Sequence, residues 1–136
     1  PDEFQFIRKH PSVGRKALND MKCYSENILR MVAEHHEKFD GTGYPFELKG
    51  DKISLYARIC NIMDVFGALT APRKNRPGMT PFAALSEMKN NMEGQFDMRI
   101  LVNFIKTLAD AAAAKVSASK SAGSSQSSGN QVAASA

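Results

Sequence analysis

His35 and His36 stand side by side between Glu34 and Glu37, at the end of a segment whose apolar residues Ile28, Met31 and Val32 recur at helical spacing. Both imidazoles continue that inward stripe. A lone inward histidine is usually a hydrogen-bonded core residue, but two adjacent ones beside two carboxylates are hard to bury without a shared partner. A metal ion is the economical partner, because neutral imidazole is the commonest protein ligand for transition ions and a helix end gives both side chains fixed directions. Asp64 makes the same point independently. It interrupts a helix that is apolar on nearly every side, and a buried carboxylate requires a cation. Arg58 is one candidate, although it lies on a different face of the same helix; a metal is the other. His10 precedes Pro11, which projects it from a fixed corner. A surface histidine at a helix junction is the commoner case, and nothing local excludes it. The cations Arg73, Lys74 and Arg76 form a dense cluster that, on charge alone, reads as a solvated loop.

The elements that must position these groups are helices. No alternating stretch is long enough to argue for a sheet, so the expected class is all-α. A first helix carries Phe4 and Ile7 on one face and breaks at His10-Pro11, and a second starts at Pro11 and runs through Val13, Ala17, Leu18 and Met21. Ser25 is the expected N-cap of the third, which ends at the paired histidines. A turn-rich loop, Asp40 to Pro45, follows. Ser54 is the expected cap of a fourth helix to Leu69, apolar almost all round and therefore placed in the core. Thr80-Pro81 opens a fifth helix closed by Gly94, and Asp97 caps the last, with Leu101, Phe104, Ile105 and Leu108. One helical domain is expected over residues 1–114. Residues 115–136 are Ser- and Ala-rich without periodicity, and the expectation for them is disorder.

Composition narrows the function classes. With 136 residues, 43% of them hydrophobic, the chain has enough for one core. The net charge of +4 is scattered, which argues against a long nucleic-acid partner. No apolar run is long enough to span a bilayer, so no membrane contact is expected within this segment, and no signal peptide is evident. Cys23 and Cys60 lack metal-type spacing and read as the ordinary thiols of a cytoplasmic protein in apolar surroundings.

The run His35-His36-Glu37-Lys38-Phe39-Asp40-Gly41-Thr42-Gly43-Tyr44-Pro45 closely resembles the signature H-H-E-x-x-D-G-x-G-Y-P of the HD-GYP family. His10-Pro11 with Gly14 resembles that family's H-P-x-x-G element, and Ala57-Arg58-Ile59 followed by Asp64 its A-R-I-x-x-x-x-D element. The resemblance covers roughly Pro1 to Leu108. It implies an HD-domain-like helical bundle and a cluster of two or three metal ions, usually iron or manganese. His10, His35, His36 and Asp64 match four of the ligands, with His36 and Asp64 taken as catalytic. Gly43, Tyr44 and Pro45 then border the substrate, with Tyr44 against a nucleotide base. Arg73 and Arg76 take the places of two cations that hold the dinucleotide, where a guanidinium fork gives bidentate geometry.

The implied activity is hydrolysis of cyclic di-GMP to pGpG or GMP, in a bacterial protein of two-component signalling that carries an upstream receiver or sensor domain. The alternative is a module that binds the dinucleotide or a protein partner without cleaving anything. Two positions depart from the family pattern: Gly67 stands where an aspartate is usual, and Asn75 where a tyrosine is usual. The resemblance also places the family's first ligand histidine, its His-Asp pair and a nearby lysine ahead of Pro1. The chain by itself is therefore expected to hold metal weakly and to be inactive.

Overall fold

Six helices follow one another in a computed structural model that describes residues 2–123: α1 (Asp2–Ile7), α2 (His10–Asp20), α3 (Glu26–Glu34), α4 (Leu55–Thr70), α5 (Pro81–Asn90) and α6 (Met98–Gly123). A 3₁₀ turn, Gly50–Lys52, precedes α4. No strand occurs among the described residues, and Arg73 and Arg76 form an isolated bridge across a tight turn. The all-α expectation holds.

Local chemistry sets the boundaries. Ser54 and Thr80 cap α4 and α5 by accepting from the amides of Ala57 and Ala83, and Pro81 follows Thr80 in the first turn. Asp97 accepts from the Arg99 amide at 3.0 Å and so caps α6. Ser25 occupies the N-cap position of α3 without a side-chain cap bond. Gly94, expected to close α5, lies beyond its end at Asn90. Its φ of +78° and carbonyl serve instead to dock the loop at Asp40, whose amide donates to that carbonyl.

The chain divides into two units, Pro1–Val102 and Asn103–Ala136. In the first, α2 packs on α3, α3 on α4 and α4 on α5. Its core holds Leu29, Ala33, Ile53, Ala57, Ile62, Ala84, Met88, Phe96 and Leu101. Two expectations need correction here. The buried face of α3 runs through Leu29 and Ala33 and leaves Ile28 exposed, one position away from the stripe read in sequence. Helix α4 is not enclosed: Leu55, Tyr56, Ile59 and Met63 are 40–52% exposed, because α3 and α5 cover only the side that carries Ala57, Asn61 and Ile62. Val13 of α2 and Met21, the residue after its end, are likewise exposed, and so is Cys23.

In the second unit α6 continues to Gly123 and so takes in residues 115–123 of the expected tail. Ala111 to Ala114 and the alanines that follow supply helix propensity without an apolar face. The remainder of the expected tail, 124–136, lies outside the described residues. No helix among the described residues is long and apolar enough to cross a membrane.

A charged network ties the start of α4 to the start of α6. Arg58 donates to both Asp51 and Asp97 at 2.7 Å, and Arg99 bonds the same two carboxylates at 2.9 and 2.8 Å. Arg58 is therefore spoken for by these partners rather than by Asp64. Asp97 is 3% exposed, and hydrogen bonds from Arg99, reinforced by Arg58 against the opposing effect of burial, hold its carboxyl below the usual range. A depressed carboxyl stabilises the fold fully above its unfolded value near 3.8 and loses that contribution as the pH falls through its lower folded value. Asp97→Asn should therefore cost about 3 kcal/mol at neutral pH. In urea melts across a pH series, the gap between wild type and variant should close below about pH 4; a gap that stays constant would contradict the pairing.

Candidate metal centre

Helix α3 stops at Glu34, His35 serves as its C-cap, and His36 begins the loop, so the pair leaves the helix end instead of extending its stripe. His10 opens α2 on the neighbouring helix. Packing of α2 on α3 brings the three rings together: one nitrogen from each lies within 4.8 Å of the others. His10 Nε2 is 3.3 Å from His35 Nε2 and 3.1 Å from His36 Nε2. Thus His10, weakest of the histidine candidates in sequence, joins the other two.

Outer partners orient two of the rings. His10 Nδ1 faces the Ile7 carbonyl, and His35 Nδ1 faces the Val32 carbonyl at 2.8 Å. A carbonyl only accepts, so each Nδ1 donates, and in the neutral ring this leaves Nε2 as the lone-pair nitrogen. A cation shared between these Nε2 atoms, 3.3 Å apart, satisfies both neutral rings at once. Burial, then His35 and His10, push His36 down to about 4, with Asp64 acting in the opposite sense, so His36 is neutral at physiological pH. Three convergent imidazole nitrogens, with the Nδ1 atoms of His10 and His35 held by backbone carbonyls, fit the donor set of a transition-metal site.

Asp64 is placed differently from the expectation. It is exposed, on the open side of α4, and stands outside the three-nitrogen group. Its charge still acts on His36, Tyr44 and Cys60. It lines a cleft of about 540 Å³ together with Val65, Leu69, Arg73, Asn75 and Arg76. The cation cluster and the carboxylate thus share one open groove. Gly67 is exposed, with nothing within 4 Å of where a Cβ would lie.

Tyr44 stacks on His36 with ring centroids 4.9 Å apart, and the Arg8 guanidinium lies 5.0 Å from the Tyr44 centroid. Burial raises the Tyr44 hydroxyl, with Asp64 adding to the rise and Arg8 opposing it. Pro45 follows through a cis peptide bond. Gly43 is buried against the backbone of Glu37 and Lys38.

The sequence reading missed the residues that hold these groups. Glu34 and Glu37, read as burdens on the histidines, are satisfied elsewhere. Glu34 takes Arg30 and the Ser54 amide, at 2.7 Å each, and Glu37 takes the amides of Phe46 and Leu48. Asn61 donates to the His35 carbonyl at 3.0 Å. Only the Glu37 position within the motif hinted at a role.

A family model for the HD domain matches residues 1–100. A Pseudomonas aeruginosa protein named a cyclic di-GMP phosphodiesterase is 36% identical over 106 residues, which are 78% of this chain and 25% of that protein. A Vibrio cholerae protein named a 3'3'-cGAMP-specific phosphodiesterase is 35% identical over 106 residues, 78% of this chain and 23% of that protein. The chain spans about a quarter of the length of these curated relatives. The solved structure of an HDGYP protein from Bdellovibrio bacteriovorus superposes with a TM-score of 0.65 at 18% identity, covering 80% of this chain and 34% of that one, which shows a common fold. Signature, family model and fold coincide on the same residues: this chain belongs to the HD domain family, in its HD-GYP branch.

Proposed function

We propose that this chain is the later part of a metal-dependent phosphodiesterase domain that hydrolyses a cyclic dinucleotide, with cyclic di-GMP as substrate and pGpG or GMP as product. The observation that carries the reading is the convergence of the His10, His35 and His36 nitrogens, with the Nδ1 atoms of His10 and His35 tied to carbonyls. These three would hold the metal, iron or manganese, with Asp64 joining them when the groove is filled. Bound there, the ion supplies Lewis-acid polarisation of phosphate oxygens and activation of water. The chain's own residues do the rest. Arg73 and Arg76 offer guanidinium forks to phosphate or guanine in the cleft that Asp64 shares, and Tyr44 presents a ring edge beside the site. The natural setting is a cytoplasmic bacterial signalling protein whose upstream receiver or sensor domain controls the activity.

A second reading, a module that binds the dinucleotide without cleaving it, is favoured by one observation: Asp64 is exposed and stands outside the nitrogen group.

The test takes the longest native form of the protein, loads it with manganese or iron, and follows cyclic di-GMP and 3'3'-cGAMP by chromatography. Product that disappears in the His36→Ala variant supports the enzyme. Dinucleotide binding without product supports the second reading, and a preference for 3'3'-cGAMP would change the substrate but not the class.

A further inference from the structure

We infer that Glu37 is a positioning residue that seats Tyr44 on His36. Glu37 is 2% exposed, and both of its carboxylate oxygens accept from backbone amides of the loop: Oε1 from Phe46 at 2.6 Å and Oε2 from Leu48 at 3.0 Å, with the Glu47 amide also bonding the carboxylate. The loop between Glu37 and these amides contains Gly43, Tyr44 and Pro45. It is closed at its base by the Tyr44 amide donating to the His36 carbonyl at 3.2 Å and by Gly43 lying flat on the Glu37 backbone. Glu47, between the two anchored amides, has φ +54°, a conformation that needs such restraint in a residue with a side chain. The chain therefore leaves His36, folds back over the next side chain, and delivers the Tyr44 ring to the His36 ring.

Backbone N–H donors on both oxygens of one buried side chain select a carboxylate. An ionised carboxyl is acceptor-only on both oxygens, whereas a glutamine would turn its NH₂ toward one of the two amides and leave that donor unsatisfied. Glu37 touches neither the clustered nitrogens nor the groove, so any effect on the site runs through the loop. Its metal-related consequence rests on the proposed metal reading; its effect on the rings does not.

The experiment compares wild type, Glu37→Gln, Tyr44→Ala and the double variant of this chain at mildly alkaline pH, where the imidazoles are uncharged. The first readout is the NMR shift of the His36 ring protons in the metal-free protein, which senses the stacked Tyr44 ring. Glu37→Gln should move it to the position found in Tyr44→Ala, and the double variant should add nothing further. Tyr44→Phe, which keeps the ring, should stay at the wild-type position. The second readout is cobalt(II) affinity, which should fall about 10- to 100-fold in Glu37→Gln, as for loss of an outer partner of a metal ligand. A merely structural Glu37 would lower the melting temperature and leave the His36 ring signal where it is, which would overturn the inference, as would additive shifts. Should Glu37→Gln fail to fold, Glu37→Asp, long enough to reach one amide only, should show an intermediate shift. A wild-type chain that binds no cobalt would sink the metal reading and leave the ring-proton result to decide this one.

Discussion

Replacing His36 with alanine is expected to weaken binding of a divalent transition ion by more than about 100-fold, beyond the range that loss of an outer-shell partner produces. The argument is geometric. His36 supplies one of three nitrogens gathered within 4.8 Å, and its depressed basicity keeps it in the ligating, neutral form. Removing it leaves His10 and His35, whose Nε2 atoms still face each other at 3.3 Å but enclose the ion from fewer directions. The same loss is expected for His10→Ala, although that residue comes from α2 and lies 26 positions from His36 in sequence. Titration with cobalt(II) or zinc, with melting curves in parallel to separate affinity from folding, measures both. Cys23→Ser, at an exposed position, is the control and should bind as wild type does. If His36→Ala and His10→Ala retain wild-type affinity, the ion sits elsewhere and the metal-centre assignment falls.

Gly43→Ala should be the most disruptive single-methyl change in the motif. An added Cβ would lie 2.2 Å from the Lys38 amide nitrogen and 2.5 Å from Glu37 Cα, and these are backbone atoms that no rotamer change can move aside. The loop must open, taking with it the Phe46 and Leu48 amides bound to Glu37 and the Tyr44 ring stacked on His36. The expected cost reaches about 4 kcal/mol, at the upper end for point substitutions, if the loop opens only with the rest of the unit. Otherwise it appears as local opening with the global melt preserved. Native-state hydrogen exchange distinguishes the two, since the Phe46 and Leu48 amides lose protection in both cases while core amides such as Ile62 lose it only in the first. Gly67→Ala is the matched control: nothing lies within 4 Å of its Cβ position, and alanine in a helix interior should stabilise by about 0.5–1 kcal/mol. Unchanged protection of Phe46 and Leu48 in Gly43→Ala would refute the packing described.

The run from His35 to Pro45, the capping roles of Ser54, Thr80 and Asp97, and the helical class were all legible in the sequence, because each depends on residues within a few positions of one another. Periodicity also revealed that α4 is apolar on most sides, but not which side α3 and α5 would cover. For that reason Asp64, expected to be buried, proved exposed beside Arg73 and Arg76. Partnership across the chain was equally invisible. Arg58 finds Asp97 at a separation of 39 residues, Glu34 finds the Ser54 amide at 20, and Asn61 finds the His35 carbonyl at 26. Sequence by itself determined which side chains are able to bind an ion and how the local backbone turns around them. The tertiary structure decided which of them meet, because a lone pair or a buried charge is satisfied by whatever packing brings within about 3 Å, and packing is settled by faces of helices distant in the chain.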